Sequence, residues 1–404
     1  MKNIWLINYH GYPPGTSKWT RHFDLFKNLS KKYNFTIFGS SYIHDTGNQL
    51  LKENEKIREE KYEDVTYKIV KSKGYKNIFQ RYFAYVIFIL KILFIEKNEI
   101  PNVIIGSSPD LLMGLGAYIL SKKYKAKFIL EIRDVWPETL VELNVISRKS
   151  PIYFIFRNLE IFLYKKADAI IITAPGIKEH IENSKVNGNK IYYINNGVDL
   201  ERFYKNLEKN KEISILDKNK FNVSYTGAIG LANGLDILVD SAKKISDLGY
   251  KDIYINIIGA GPESERLKNK YSEIKNIKFQ GSFPKERVPR ILDESDCLFF
   301  SLQDKPLFLK FGISPNKLFE YLASGKPIVF SCKAYNDIVK IANAGISLEK
   351  LSVDKVVEGI LSLYNMSSEE RKILGENGKK YVKENFESNI LSKKLESIFE
   401  NLLK

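Results

Sequence analysis

The chain has 404 residues, with 63 Lys and Arg against 48 Asp and Glu, and a formal net charge of +15. Its 44% hydrophobic and 27% charged content excludes a disordered or fibrous chain, and the length suits about two to three globular domains. Two cysteines, Cys297 and Cys332, exclude a disulfide framework and a thiolate zinc site, and they fit a reducing cytoplasm.

The charge is uneven. Residues 1–200 hold 30 Lys and Arg and 20 Asp and Glu, so most of the excess lies there. A basic face attracts anionic partners, whether nucleic acid, acidic lipid or phosphorylated substrate. A lysine-rich composition reads equally well. The opening residues 1–8 are too short for a secretory leader and no small-residue cleavage site follows. The longest apolar run, 83–95, is interrupted by Lys91 and falls short of the roughly 20 residues of a spanning helix.

In chain order, the first half predicts strands at 4–7, 35–38, 103–105, 128–132, 169–173 and 191–194. They are continuous Ile, Val and Phe runs, as in strands buried on both faces of a parallel sheet. Helical stretches at 19–31, 78–96, 111–124 and 151–166 separate them. The second half repeats the pattern, with strands at 221–225, 254–258, 277–279, 297–301 and 327–330 and helices at 235–248 and 288–294. Two βα series predict two doubly wound domains joined near 205–220, with a last helix at 389–403. Ligands of such sheets bind beyond the C-terminal strand ends, and the expected site is the cleft between the domains.

Several strand-end loops carry candidate chemistry. Residues 9–17 follow the first strand, and Gly15 allows a backbone to approach a ligand closely. Thr20, Arg21 and His22 open the next helix. Residues 40–45 place His44 at a strand end, a better site position than His22, which packing on a helix can satisfy. Ser107 and Ser108, within 105–110, and Arg133 and Asp134 close two further strands. Arginine cannot act as a base but can bind a carboxylate or phosphate. The alternative is an internal Arg133–Asp134 pair beside a packed Trp136. Residues 225–230 and 259–263 are glycine-bearing strand-to-helix loops. The second lacks the third glycine and the first-strand position of a dinucleotide fingerprint, which excludes NAD.

The most informative segment is 312–327, Gly-Ile-Ser-Pro-Asn-Lys-Leu-Phe-Glu-Tyr-Leu-Ala-Ser-Gly-Lys-Pro. Ser314 is expected as the N-cap, Pro315 as the first helical residue and Gly325 as the stop. A helix N-terminus offers free N–H groups and partial positive charge to a diphosphate. Lys317 adds a full charge in the first turn, where lysine is otherwise unfavourable. Glu320 lies one turn on and could accept two hydrogen bonds from a ribose diol. A well-capped surface helix is the plain alternative.

This segment resembles the donor-site motif of family 4 glycosyltransferases. It is similar to the subgroup that transfers N-acetylated amino sugars such as N-acetylfucosamine in O-antigen and capsule assembly. The likeness runs through 101–180, 195–199, 225–230 and 259–263 in order. It implies an α/β GT-B fold, two doubly wound Rossmann-like domains facing a central cleft. Residues 1–204 would be the acceptor side and 205–386 the donor side, with 387–404 a helix packing back on the first domain. It implies Ser314, Asn316, Lys317 and Leu318 at the donor diphosphate and Glu320 at the ribose. Gly15, Gly227 and Gly230 would lie beside the phosphates, and Gly259 and Gly261 near the base. Thr16, Arg21, His22, Ser107 and Ser108 would meet the acceptor, and Asp134, Arg133, Lys317 and His44 the reacting groups. Many members carry a glutamate eight residues before the ribose one, where this chain has Gly312. Many also carry Arg and Lys where this chain has 231–234, Leu-Ala-Asn-Gly, so the charge falls to Lys317, with Lys305 or Lys310 as helpers or plain solvated lysines.

The implied activity is retaining transfer of an N-acetylated amino or deoxyamino hexose from a UDP-sugar to a polyprenyl-diphosphate-linked glycan. The expected place is the cytoplasmic, inner face of the plasma membrane. No cofactor or metal is required, and no Asp-x-Asp motif is present. Helix 75–97, aromatic with Lys76, Arg81, Lys91 and Lys97, reads as an interfacial helix or a core helix. The alternatives are a UDP-N-acetylhexosamine 2-epimerase of the same fold, a non-catalytic sugar-nucleotide binder, and a polyanion binder. Nucleic acid is not an expected partner, because the chain lacks an Arg-rich helix or single-strand-binding pattern.

Overall fold

The computed structural model describes residues 1–16, 20–44, 46–95, 99–108, 110–212 and 214–404. Ser17, Trp19, Asp45, Glu96, Lys97 and Pro109, which fall within segments singled out above, lie outside the described residues. The chain divides into two units, Met1–Asn195 with Ser388–Lys404, and Asn196–Glu387.

The first unit is built on an eight-stranded sheet. Its strands are β1 (Lys2–Ile7), β2 (Tyr33–Ser40), β3 (Ile57–Tyr62), β4 (Val65–Val70), β5 (Val103–Ser107), β6 (Lys127–Ile132), β7 (Ala169–Ile172) and β8 (Ile191–Tyr193). The spatial order is β3-β4-β2-β1-β5-β6-β7-β8, parallel except for the antiparallel β3–β4 hairpin at one edge. The apolar central strands are almost entirely buried, as a sheet covered on both faces requires. The β3–β4 hairpin is an addition to the expected set. β3 reads Ile-Arg-Glu-Glu-Lys-Tyr and stays exposed or half-buried throughout. Charge is a common way to blunt an edge strand, and it leaves no apolar run to read.

Helices Leu111–Tyr124 and Pro151–Lys166 start where side chains satisfy their first N–H groups. Asp110 accepts from Leu112 and Met113 N–H, and Ser150 accepts from Tyr153 N–H with proline at the first turn. Helix Arg21–Lys27 is shorter than 19–31. Helix Ile78–Phe94 is capped by Asn77 and buries Tyr85, Phe88, Ile89 and Ile92. The C-terminal helix Ser388–Leu403 buries Leu391, Leu395, Ile398 and Phe399 among Leu25, Tyr33 and Phe35. Ser392 Oγ also donates to Leu25 O at 2.9 Å.

The second unit holds a fully parallel six-stranded sheet. Its strands are β9 (Phe221–Thr226), β10 (Ile253–Ile258), β11 (Ile277–Gly281), β12 (Cys297–Ser301), β13 (Ile328–Ser331) and β14 (Gly345–Ser347), in the order β11-β10-β9-β12-β13-β14. One core gathers Leu238, Val239, Ile245, Val356 and Ile360 against Val223, Ile255 and Phe299. The other gathers Leu318, Phe319, Leu322, Val382 and Leu292 against Leu298, Phe300 and Phe330.

The break between units falls at Asn195/Asn196, nine residues before the expected 204/205. The cause is helix Leu200–Lys209, whose Leu200 and Phe203 are buried in the second unit's core beside Leu292 and Phe319. The polar segment expected as a join therefore begins inside a packed helix.

Candidate functional site

In the second unit the C-terminal ends of β9 and β10 lie in register, Thr226 beside Ile258. Their loops interlock. Gly227 N–H donates to Ile258 O at 2.9 Å and Ile229 N–H to Ala260 O at 3.0 Å. A Cβ at Gly259 would stand 1.8 Å from Gly227 O, and one at Gly261 would stand 2.2 Å from Ile229 O. These glycines let one loop nest in the other. Gly230 differs, because a Cβ there would meet nothing within 4 Å.

Helix Asn316–Ser324 is tied to the end of β9 by Tyr321, whose hydroxyl accepts from Thr226 N–H at 2.7 Å and donates to Thr226 O at 3.0 Å. Ser314 is not its N-cap. Pro315 holds that position, and no side chain among the described residues caps the helix. Ser314 Oγ instead accepts from Asn196 N–H at 3.0 Å, and Asn196 Nδ2 donates to Ser314 O at 2.6 Å. The half-buried Asn316 opens a helix end without a capping side chain, the arrangement that leaves N–H groups for an anion.

Lys317 is half-buried, and its ammonium turns inward. It donates to Asn233 Oδ1 at 2.6 Å and Tyr225 OH at 3.1 Å. It stands 4.4 Å from the Tyr225 ring centre and 5.0 Å from that of Phe300. No carboxylate among the described residues pairs with it. Burial pushes its pKa down to about 7. An anion at this helix end would reverse that cost.

Leu318 needs correction as a binding residue. Its side chain is fully buried in the core, and its N–H donates to Pro315 O at 3.1 Å. Glu320 is partly exposed, 3.4 Å from Lys285 Nζ. Gly312 has φ +92°, a backbone state that side chains rarely adopt, so a glutamate here would be strained. Asn336 holds the next residue, accepting from Ile313 N–H at 2.7 Å and donating to Ile313 O at 2.9 Å. Lys310 lies exposed 5.0 Å from the Phe311 ring centre, and Lys305 precedes helix Pro306–Phe311.

In the first unit, the expected acceptor residues Arg21, His22 and Ser107 are taken up by Glu131, a buried carboxylate on β6. Arg21 Nη2 donates to it at 2.9 Å, His22 Nε2 pairs with it at 2.6 Å, and Ser107 Oγ donates at 2.6 Å. Arg21 also donates to Ile194 O at 2.8 Å and to Asn195 O. Burial opposes the Glu131 charge, but His22 and Arg21 override it and hold the pKa well below the usual carboxylate range. These side chains join the helix Arg21–Lys27 to β5, β6 and the exit from β8, which corrects their assignment to an acceptor. Ser108 is also structural, its buried Oγ accepting from Arg133 N–H at 2.9 Å.

Thr16 Oγ1 donates to Pro13 O at 2.6 Å, while Gly15, with φ +83°, stands exposed. His44 is exposed, stacked on Tyr75 with its Nδ1 3.1 Å from the Tyr75 hydroxyl. Arg133 and Asp134 form no ion pair with each other. Asp134 is exposed by area yet closely surrounded by protein, and this desolvation raises its pKa against Arg133 and Arg81.

A second group was not singled out from the sequence. His10 is buried, its Nδ1 3.0 Å from Tyr12 OH and its Nε2 3.0 Å from Tyr85 OH. Arg81 Nε donates to Tyr85 OH at 2.5 Å. Burial, with Arg81, His44 and Arg133 adding to it, pushes the His10 pKa down to about 3, so this histidine is neutral. Asp110 Oδ2 is buried without a hydrogen-bond partner, and burial pushes that carboxyl up to about 6. The i, i+4 spacing of Arg81 and Tyr85 was the available signal; the His10 contact spans 75 residues.

Glu131→Ala leaves Arg21 and His22 buried without their carboxylate. It is expected to destabilise the protein by about 3–5 kcal/mol in urea unfolding; unchanged stability would remove the structural role of this cluster.

Known proteins match both units. Residues 19–202 match the family described as Glycosyltransferase Family 4, and residues 206–381 match Glycosyl transferases group 1. The chain is 28% identical over 420 aligned positions to the uncharacterized glycosyltransferase MJ1069 of Methanocaldococcus jannaschii, with 100% of both chains covered. It is 24% identical to the capsular polysaccharide biosynthesis glycosyltransferase CapM of Staphylococcus aureus, over 78% of this chain and 81% of that one. Among solved structures, sucrose-phosphate synthase of Thermosynechococcus elongatus matches with a TM-score of 0.77 at 14% identity, covering 100% of this chain and 99% of that chain. HepE of Anabaena in complex with UDP matches with a TM-score of 0.69 at 12% identity, covering 99% of this chain and 100% of that chain. With a family 4 domain followed by a group 1 domain, the chain is a glycosyltransferase of the GT-B fold.

Proposed function

We propose that this glycosyltransferase takes its sugar from a UDP-sugar and transfers it, with retention of the anomeric configuration, to a lipid-linked glycan in surface polysaccharide assembly. The observation that carries the reading is Lys317, an ammonium without a carboxylate partner among the described residues, at the open end of helix Asn316–Ser324. It suits a group whose charge grows as the sugar–phosphate bond breaks. Helix N–H groups and Lys317 would stabilise the departing UDP electrostatically. The acceptor hydroxyl bonds to the anomeric carbon and its proton passes to the departing diphosphate. This route assigns no step to a protein base and requires no metal.

The donor identity draws support from HepE, described in complex with UDP, and the pathway from the capsular role in the name of CapM. Glu320, one turn beyond Lys317, is assigned to the ribose. The sugar is proposed to be an N-acetylated amino or deoxyamino hexose. With glycine at 312, contacts to it come from elsewhere than the usual glutamate position. The proposed location is the inner face of the plasma membrane. Helix Ile78–Phe94 exposes Phe79 and Phe94, each 82% exposed, and helix Pro151–Lys166 exposes Phe154 and Ile155. Stacking of Tyr82 on Phe156 ties the two helices together. Such a surface suits the bilayer interface, and no helix among the described residues is long and apolar enough to cross it.

Lys317→Met removes a charge held at an energetic cost. It is expected to raise the melting temperature of the ligand-free protein by about 2–4 °C and to abolish the rise caused by UDP. A preserved UDP response would detach Lys317 from the donor site. With a panel of UDP-N-acetylhexosamines and a polyprenyl-diphosphate glycan, the proton coupling at the new anomeric centre is expected to match that of the donor. An inverted product, or epimerised UDP-sugar formed without acceptor, would contradict the reading.

A further inference from the structure

Beside helix Ile78–Phe94, the segment 72–76 encloses a groove of about 650 Å³. Its walls differ in character. The helix contributes Phe83, Ala84 and Ile87, and Phe83 is 68% exposed. Lys73, Lys76 and Lys91 stand around the same space. No carboxylate among the described residues pairs with any of these three. On the neighbouring hairpin, Lys61 lies 3.5 Å from Asp64 and Lys68 lies 3.2 Å from Glu59. What sets the groove lysines apart is their convergence on one cavity with an apolar wall. Lys91 is further held by donating to Lys71 O at 2.5 Å, and burial, with Lys71 and Lys73 nearby, lowers its pKa.

Three cations without carboxylate partners among the described residues, beside an exposed phenylalanine, suit a ligand that is anionic at one end and apolar at the other. We propose that this groove binds a lipid phosphate or diphosphate, with the head among Lys73, Lys76 and Lys91 and the first part of the chain along Phe83, Ala84 and Ile87. The volume is that of a small-ligand pocket, sufficient for a head group and a short stretch of tail. This deepens the proposed function and rests on its lipid-linked acceptor, since it assigns the carrier lipid a site on the first unit.

The test uses the full chain saturated with UDP, so that the donor diphosphate site is filled. Farnesyl diphosphate below its micellar concentration is titrated by calorimetry, beside inorganic diphosphate and farnesol. Farnesyl diphosphate is expected to bind at least about tenfold more tightly than either fragment. The double variant Lys73→Glu/Lys76→Glu, and separately Phe83→Ser, are each expected to weaken it by about tenfold or more while UDP affinity and melting temperature stay unchanged. Equal binding of inorganic diphosphate would reduce the groove to a free-anion site and overturn the proposal. So would equal binding of farnesol, absence of farnesyl diphosphate binding, or variants that bind it as well as the parent. Failure of UDP to bind the parent protein would count against the donor reading, and farnesyl diphosphate would then be titrated without it to judge the groove separately.

Discussion

An ammonium group placed over two aromatic rings, with only an amide oxygen and a phenol as hydrogen-bond partners, is costly to maintain. Lys317 is such a group, and the local fold of the second unit is arranged around it. Tyr225, the last buried residue but one of β9, supplies one ring and one hydroxyl. Asn233, from the short turn after the β9 loop, supplies the amide. Tyr321 fixes the helix to the main chain at Thr226, so Lys317 cannot swing out with its helix. The nesting of Gly259 against Gly227 holds the loop beside it. Packing and hydrogen bonding thus hold Lys317 where no carboxylate among the described residues compensates its charge, a feature of sites prepared for an anion.

The first unit treats charge in the opposite way. Glu131 is buried deeper than Lys317, yet its oxygens are occupied by Arg21, His22 and Ser107. Such a cluster compensates its charges internally. A second group gathers His10, Arg81, Arg133 and His44, where the neutral His10 imidazole lies near the Arg81 and Arg133 guanidinium groups.

Much of the fold was legible because local signals agreed. Asp110 and Ser150 cap helices whose apolar faces begin immediately after them, and the Ile and Val runs of β5, β6 and β7 can only be buried strands. β3 was hidden because an exposed edge strand carries charges in place of an apolar run. Lys317 was legible because a lysine in a first helical turn opposes the helix dipole and so demands a reason. The other site residues depended on partners far away in sequence. Arg21 and His22 resemble substrate-binding residues until Glu131, about 110 positions on, takes them. Ser314 has the chemistry of an N-cap, but Asn196, 118 positions earlier, engages it first. His10, Tyr85 and Arg81 assemble only when the loop after β1 meets helix Ile78–Phe94.

The central claim is that Lys317 rests with a pKa near 7 and becomes fully charged against a bound diphosphate. Its lowered pKa in the free protein gives the sign: binding must take up a proton wherever the free ammonium is partly neutral, so affinity falls as pH rises above about 7. UDP binding measured by calorimetry at pH 8 in two buffers of different ionisation enthalpy reads this directly. The account predicts uptake approaching one proton per UDP, lost in Lys317→Met. Binding with no proton uptake in the unaltered protein would contradict it.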